Sequence, residues 1–296
     1  MRFIASPSVQ KYAGDKGVDL AELAHATGRQ TLAREDVDRH LAGGGQAAQP
    51  ATDLARYWDV DHAEYGPVTV EDMPRMAQVA AANLAAANAM IPQVTHHDRA
   101  DMRAVEAFRT GIRDEAAARG VKLTALAFQV RALARCLRDF PRFNASLSAD
   151  GRQLIRKDYV HVGIAVDTPQ GLVVPVIRDA DRKGLWQIAS DIADLAARAQ
   201  ARKVRPEEMG GASMSISNLG GIGGTAFTPI VNPPEIAILG LTRTEIVPVW
   251  EDGAWQPVPM LPLDLSYDHR VINGADAARF LAHFASLMAD PRRIMI

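Results

Sequence analysis

Apolar residues along the chain follow two periods, and each period predicts a different element. Leu123, Leu126, Val130, Leu133, Leu137 and Phe140 step by three and four residues, which predicts a helix over 123–139 with one buried face. Ile188, Ile192, Leu195 and Ala199 step in the same way, with Arg and Asp mostly on the other side, so 185–200 reads as a one-faced surface helix. Further helices are expected over 102–119 and over 274–289, the latter carrying Phe280, Leu281, Phe284, Leu287 and Met288. Period two appears at Val160, Val162, Ile164 and Val166; the turn residues Thr168-Pro169-Gln170-Gly171 and the apolar run Leu172–Ile177 complete a hairpin. Strands are also predicted at Ser213–Ser217, Glu235–Gly240, Ile246–Trp250 and Met260–Tyr267, so the second half is sheet-rich and the class is an α/β layered sandwich.

The first forty residues are organised differently. Ser6-Pro7-Ser8 opens a helix with an apolar face of Val9, Tyr12 and Ala13, and Arg34-Glu35-Asp36-Val37 sits in a second helical pattern ending at Gly43. Two short helices make a marginal core, and a module of that size more often binds a partner than performs chemistry. The stretch GGGQAAQPATD that follows has no apolar periodicity and reads as a linker. The expected organisation is a helical module over 1–43, a linker over 44–66 and a main domain over 67–296.

Composition then removes several classes of function. The chain has 296 residues, 48% hydrophobic, enough to bury a sizeable core. Its 33 basic and 35 acidic residues give a formal charge of -2, which lacks the basic footprint that nucleic-acid binding requires. No run of eighteen apolar residues and no secretory leader pattern occurs, and a single cysteine excludes an internal disulfide framework, so no membrane partner is expected and the setting expected is cytoplasmic. That cysteine, Cys136, lies beside the apolar stripe of its helix with no His or Asp spaced to activate it, which points to packing. His96, His97, His161 and His269 share no ligand spacing, so no metal is expected.

Two local patterns carry candidate chemistry. Ser213-Met214-Ser215-Ile216-Ser217 places three hydroxyls on one face of a strand and two apolar groups on the other. Such a face suits either a solvated edge strand or a functional surface. The Gly220-Gly221-Ile222-Gly223-Gly224 run behind it lacks the Lys-Ser/Thr end of a phosphate loop and reads as a flexible turn. The second pattern, Ser266 to Asp276, falls where an apolar strand ends and an amphipathic helix begins. There Asn273, three residues before Asp276, has the spacing of a helix N-cap, and His269 is either a satisfied core histidine or a functional one.

The stretch Asp268-His269-Arg270-Val271-Ile272-Asn273-Gly274 closely resembles the DHRxxDG signature of the 2-oxo acid dehydrogenase acyltransferases and of the related chloramphenicol acetyltransferases. Phe140-Pro141-Arg142-Phe143-Asn144-Ala145-Ser146-Leu147, Gly163–Thr168, Gly171–Val176 and Ser215–Gly220 look like further blocks of that family in family order, so the resemblance runs from about residue 67 to the C-terminus. Residues 61–84 and Gly224–Asn232 look most like the acetyl-transferring members. The resemblance implies a chloramphenicol acetyltransferase-like two-layer sandwich with a mixed sheet, preceded by a small all-α subunit-binding module. It also implies a homotrimer or a cubic assembly of trimers, with each active site in a channel between subunits.

Carried over by motif, His269 is the general base that takes the thiol proton of coenzyme A, Ser217 donates a hydrogen bond to the oxyanion, and the acetyl group passes between coenzyme A and dihydrolipoyl thiols. Asn273 stands where the common signature has Asp, keeping the hydrogen-bonding shape without the charge. Arg75 matches a basic residue of the family's N-terminal arm, a contact for a coenzyme A phosphate.

Residues 3–42 resemble the peripheral subunit-binding domain through Ser6–Val9, Gly17–Leu20 and Arg34–Val37, which implies the decarboxylase and dihydrolipoamide dehydrogenase components as partners. The arginine that docks acidic partner surfaces in the family is Thr31 here, which weakens that expectation. The family's lipoyl domain does not precede this module, so the lipoyl group is expected in trans or from a missing domain. Two other readings are a non-catalytic organising subunit, against which His269 and Ser217 argue, and a small-molecule acetyltransferase, against which the subunit-binding-like module argues.

Overall fold

The computed structural model describes residues 4–27, 31–41, 60–169 and 171–295. Most of the expected linker, residues 44–59, lies outside the described residues, as do the turn residue Gln170 and the C-terminal Ile296. The chain divides into two compact units, 1–71 and 72–296.

In the first unit, β1 (Ile4–Ala5) leads into α1 (Pro7–Asp15), followed by α2 (Leu20–Thr27), β2 (Thr31–Leu32) and α3 (Arg34–Leu41). Ser6 caps α1 by accepting the Val9 N–H, and Pro7 occupies the first helical turn, where its missing N–H costs nothing. Among the described residues this unit has three helices where the sequence predicts two, because Leu20-Ala-Glu-Leu-Ala in α2 is too short to show a clear period. Val9, Ala13, Leu20, Leu23, Ala24, Leu32 and Val37 form a small core. The short strands pair in parallel, with Ile4 opposite Thr31.

The second unit begins with α4 (Arg75–Met90) and β3 (Gln93–Asp101), then α5 (Arg103–Gly111), α6 (Arg113–Ala118) and α7 (Ala125–Asp139). Short strands follow: β4 (Ala145–Leu147), β5 (Leu154–Arg156), β6 (Val162–Ile164), β7 (Val166–Thr168), β8 (Gly171–Val173) and β9 (Val176–Ile177). The remainder is α8 (Leu185–Gln200), β10 (Met214–Asn218), β11 (Ala237–Leu241), β12 (Glu245–Glu251), β13 (Ala254–Asp268), α9 (Gly274–Ala289) and α10 (Arg292–Met295). The helix expected over 102–119 is two helices, α5 and α6, broken at Ile112. The hairpin expected over 160–177 is present, with β7 against β8 and, further out, β6 against β9.

A mixed seven-stranded sheet organises this unit. β6, β10 and β11 run parallel, and β13 runs antiparallel to β11, β12 and β3. At fifteen residues β13 is long enough to hold all three partners, pairing β12 along its first half and both β11 and β3 along its second. One sheet face is apolar: Met214, Ile216, Leu239, Leu263, Leu265 and Tyr267 join the α7 and α9 residues in the main core. Phe280 of α9 stacks on Phe143 at 4.2 Å, filling the helix layer. Cys136 is buried on α7, and burial pushes its thiol pKa up, so packing is its role. At the far end of the β12–β13 hairpin Trp250 and Trp255 face each other at 5.2 Å, both exposed.

The opposite face has a different character. Because strand side chains alternate, the register lines up Ser215, Ile238, Ser266 and Thr95 in one row and Ser217, Gly240, Asp264 and His97 in the next. This face is polar and still largely buried, with Asp264 and Ser266 each 1% exposed.

Candidate functional site

Burial of a polar face requires its groups to be satisfied, and residues 219–236 supply many of the partners. The Phe227 N–H donates to Asp264 Oδ2 at 3.3 Å, the Val231 N–H to Gln93 Oε1 at 2.7 Å, and the Ser215 hydroxyl to Glu235 Oε1 at 3.0 Å. The Phe227 ring sits over residue 240, where a Cβ would meet it at 2.7 Å, so glycine is required there. The glycine run read as a flexible turn is a hydrogen-bonded one: Asn218 Oδ1 accepts the Gly220 N–H at 2.8 Å, and the Leu219 carbonyl accepts from Ile222 and Gly223. Gly224, at φ 87°, adopts a backbone conformation that a side chain would strain. Two further pairs complete the face, Thr95 Oγ1 with Ser266 Oγ at 2.8 Å and His97 Nδ1 with Asp264 Oδ1 at 2.6 Å.

The three hydroxyls of β10 are used unequally. Ser213 Oγ accepts the His161 N–H at 3.1 Å, and Ser215 is bound to Glu235. Ser217 is half-buried, and its hydroxyl makes no hydrogen bond among the described residues. It is therefore free to donate to something else, and a parallel ladder to β6 and β11 holds its strand in place.

His269 sits on a tight turn immediately after β13. The Asp268 N–H donates to the Ile236 carbonyl at 2.8 Å and the His269 N–H to the Pro92 carbonyl at 3.1 Å, while the Asp268 carbonyl accepts from Val271 and Ile272. The Asp268 carboxylate, 2% exposed, accepts Arg270 Nε at 2.9 Å and its terminal nitrogen at 2.6 Å, a fork-to-fork pair that fixes the turn. On this support the imidazole is exposed, with the Tyr267 ring 5.8 Å away. Sequence reading left open whether His269 is a satisfied core histidine; it is not, for its ring is outside the core.

Asn273 is the N-cap of α9, with its Oδ1 accepting the Asp276 N–H at 2.9 Å. Arg75 begins α4, exposed and without an ion pair among the described residues. Thr31, exposed, is paired in β2.

The structure does not bring Ser217 and His269 together within one chain. Ser217 pairs with Gly240 and Gly240 with Asp264, five residues before His269. Two strand spacings and five residues of rise separate the Cα atoms by roughly 20 Å. Both stand on rigid supports, so no local movement closes that gap.

Several groups escaped sequence reading. Glu235 enters the polar face from the turn two residues before β11, and its signal in the sequence is a lone acid ahead of the apolar run Ile236–Leu239. The His97–Asp264 pair had none, because 167 residues separate the partners. Among the described residues no group of three or more His, Cys, Asp or Glu could hold a metal ion, and no helix is long and apolar enough to cross a membrane.

The scaffold is a mixed sheet covered by helices on one side, with a hydroxyl unpartnered among the described residues on one strand and an exposed imidazole on a turn. Residues 65–296 match the model of the 2-oxoacid dehydrogenases acyltransferase catalytic domain, and the chain belongs to that family. It is 46% identical over 299 residues to the dihydrolipoyllysine-residue acetyltransferase component of the pyruvate dehydrogenase complex of Pseudomonas aeruginosa, covering 99% of this chain and 55% of that protein. The chain spans about half the length of this relative and of the matching components of Cupriavidus necator and Azotobacter vinelandii.

Among solved structures it resembles the dihydrolipoamide acetyltransferase of Azotobacter vinelandii, in which a serine, a histidine and an asparagine were studied for their catalytic role. That match has 50% identity and a TM-score of 0.78, and covers 80% of this chain and 98% of that one. The cubic core of a pyruvate dehydrogenase multienzyme complex matches with 51% identity and a TM-score of 0.78, over 80% of this chain and 98% of that one.

Proposed function

We propose that residues 67–296 form an acetyltransferase domain that moves an acetyl group between dihydrolipoyl and coenzyme A thiols, with an active site shared between copies of the chain. The carrying observation is the pair of unspent groups, the Ser217 hydroxyl and the His269 imidazole, fixed far apart in one chain. Such groups meet only if a second copy brings its imidazole to the first copy's serine. In the Azotobacter protein the studied serine, histidine and asparagine stand 52 and 4 residues apart, the same intervals that separate Ser217, His269 and Asn273. That agreement supports the assignment of all three, and the cubic-core relative supports assembly from trimers.

In the transfer, the imidazole of His269 takes the proton from the coenzyme A thiol, which at an ordinary thiol pKa of about 8.5 is only a few per cent ionised at neutral pH. The thiolate attacks the thioester carbonyl carbon of the acetylated lipoyl group. The oxyanion that forms accepts a hydrogen bond from Ser217. Collapse breaks the old carbon–sulfur bond, and the departing dihydrolipoyl thiolate recovers the proton from the imidazolium, so the enzyme ends as it began. Asn273 holds the start of α9, and with it the turn that carries His269, while bringing no charge of its own.

Arg75 contributes a cation at the start of the N-terminal helix for a coenzyme A phosphate. The helical module over 1–43 docks the decarboxylase or dihydrolipoamide dehydrogenase components, weakened by Thr31, and the site of action is the cytoplasm. The test is acetyl transfer from acetyl-coenzyme A to free dihydrolipoamide. His269→Ala should lower kcat by about 10²–10⁴-fold while leaving assembly intact; an assembled variant as active as the parent would remove His269 from the mechanism.

A further inference from the structure

The segment Asn232–Ile236 links the two elements that carry Ser217 and His269. Its Ile236 carbonyl accepts the N–H of Asp268, the residue before His269, and its Glu235 carboxyl reaches under the polar face to Ser215, two residues before Ser217. Asn232 Nδ2 donates to the same Glu235 oxygen at 3.4 Å. The Ser215 hydroxyl has room for this bond because residue 163 on the neighbouring β6 is glycine: a Cβ there would lie 2.3 Å from Ser215 Oγ.

Glu235 is 5% exposed, and its second oxygen, Oε2, has no hydrogen-bond partner among the described residues. Burial pushes its carboxyl up to about 7, against the opposing pull of the Ser215 and Asn232 hydrogen bonds and the Lys157 charge. The charged groups around it are already engaged. Lys157 donates to the Ala212 carbonyl at 2.9 Å, and Asp268 and Arg270, which line the same cavity of about 460 Å³, are paired with each other.

We propose that Glu235 is a positioning residue for Ser217, setting the hydroxyl face of β10 through its buried hydrogen bond with Ser215. This rests on the role given to Ser217 above. Residues two apart on one strand face are about 7 Å apart, so an ionised carboxyl at Ser215 would repel an oxyanion held at Ser217 with little water to screen it. A neutral carboxyl accepts the same hydrogen bond without that repulsion.

Glu235→Gln keeps the acceptor and cannot ionise. The kcat of Glu235→Gln relative to the parent should therefore rise by about fivefold between pH 6 and pH 9. Ser215→Ala, which cuts the link and leaves the acid in place, should lower kcat about tenfold at pH 6 with KM within about twofold. A ratio that is the same at both pH values in an active parent, or a Ser215→Ala protein with the parent kcat, overturns the inference and leaves the proposed function standing. A parent with no transfer activity at either pH sinks both. If Glu235→Gln fails to assemble, the Ser215→Ala measurement decides alone.

Discussion

The two faces of β13 are equally dry and differently made. Leu263, Leu265 and Tyr267 meet the helices and are held by apolar contact, whereas Asp264, Ser266 and Asp268, between them on the same strand, are held by hydrogen bonds to His97, Thr95 and Arg270. Apolar burial is non-directional and tolerates adjustment; a buried polar face is costly unless every group is paired, and in return it fixes positions. The helix face thus supplies stability and the polar face supplies placement. The prediction that tests this division most strongly concerns Phe280, which is fully buried against Phe143. Phe280→Ala should cost about 3–5 kcal/mol in denaturant unfolding, yet leave kcat per assembled molecule close to the parent.

Ser217→Ala should do the reverse, lowering kcat by about 10²–10³-fold, equivalent to about 3–4 kcal/mol, with no loss in unfolding free energy. A destabilised Ser217→Ala protein would show that the polar face also carries the fold. Glu235 sharpens the contrast through pH. Its carboxyl is raised to about 7 in the folded chain from an ordinary 4.5, so the native state binds the proton more tightly than the unfolded one. Its stabilisation is complete below pH 4.5, declines as pH rises and is gone above 7. Unfolding of the parent and of Glu235→Gln should therefore diverge over that window by on the order of 2–3 kcal/mol in favour of Gln at the alkaline end. Smallest is Asn273→Ala, which removes the α9 cap and should cost about 1 kcal/mol.

What was legible in the sequence follows the same division. Helices α7, α8 and α9 show their apolar faces plainly: α8 and α9 each bury one stripe, and α7, packed between other helices and the sheet, also buries Gln129, Ala132 and Cys136 beside its stripe. The β10 alternation was equally plain, since its two faces differ in polarity at every step. Strand β3 was not read at all. Gln93-Val-Thr-His-His-Asp-Arg-Ala-Asp carries polar groups on both faces and has little apolar signal, although it pairs along nine residues of β13. Helix α4 is alanine-rich and buries only Ala87, so it lacked a stripe to detect.

The strand predicted over Met260–Tyr267 extends from 254 to 268, and its added half, with Pro257 and Pro259, lacks strand-favouring residues at those positions. The candidate site divides likewise. His269 and Ser217 stood out through local motifs, while Glu235 and the His97–Asp264 pair depend on contacts between distant segments that no local window contains.

The lone cysteine has a practical consequence. Cys136 is sealed inside α7 with its thiol held protonated, so reagents that colour or cap free sulfhydryls will register coenzyme A and dihydrolipoamide against a silent protein background. A cysteine introduced on the surface could therefore be labelled selectively in the native chain, with no cysteine-free variant to prepare first.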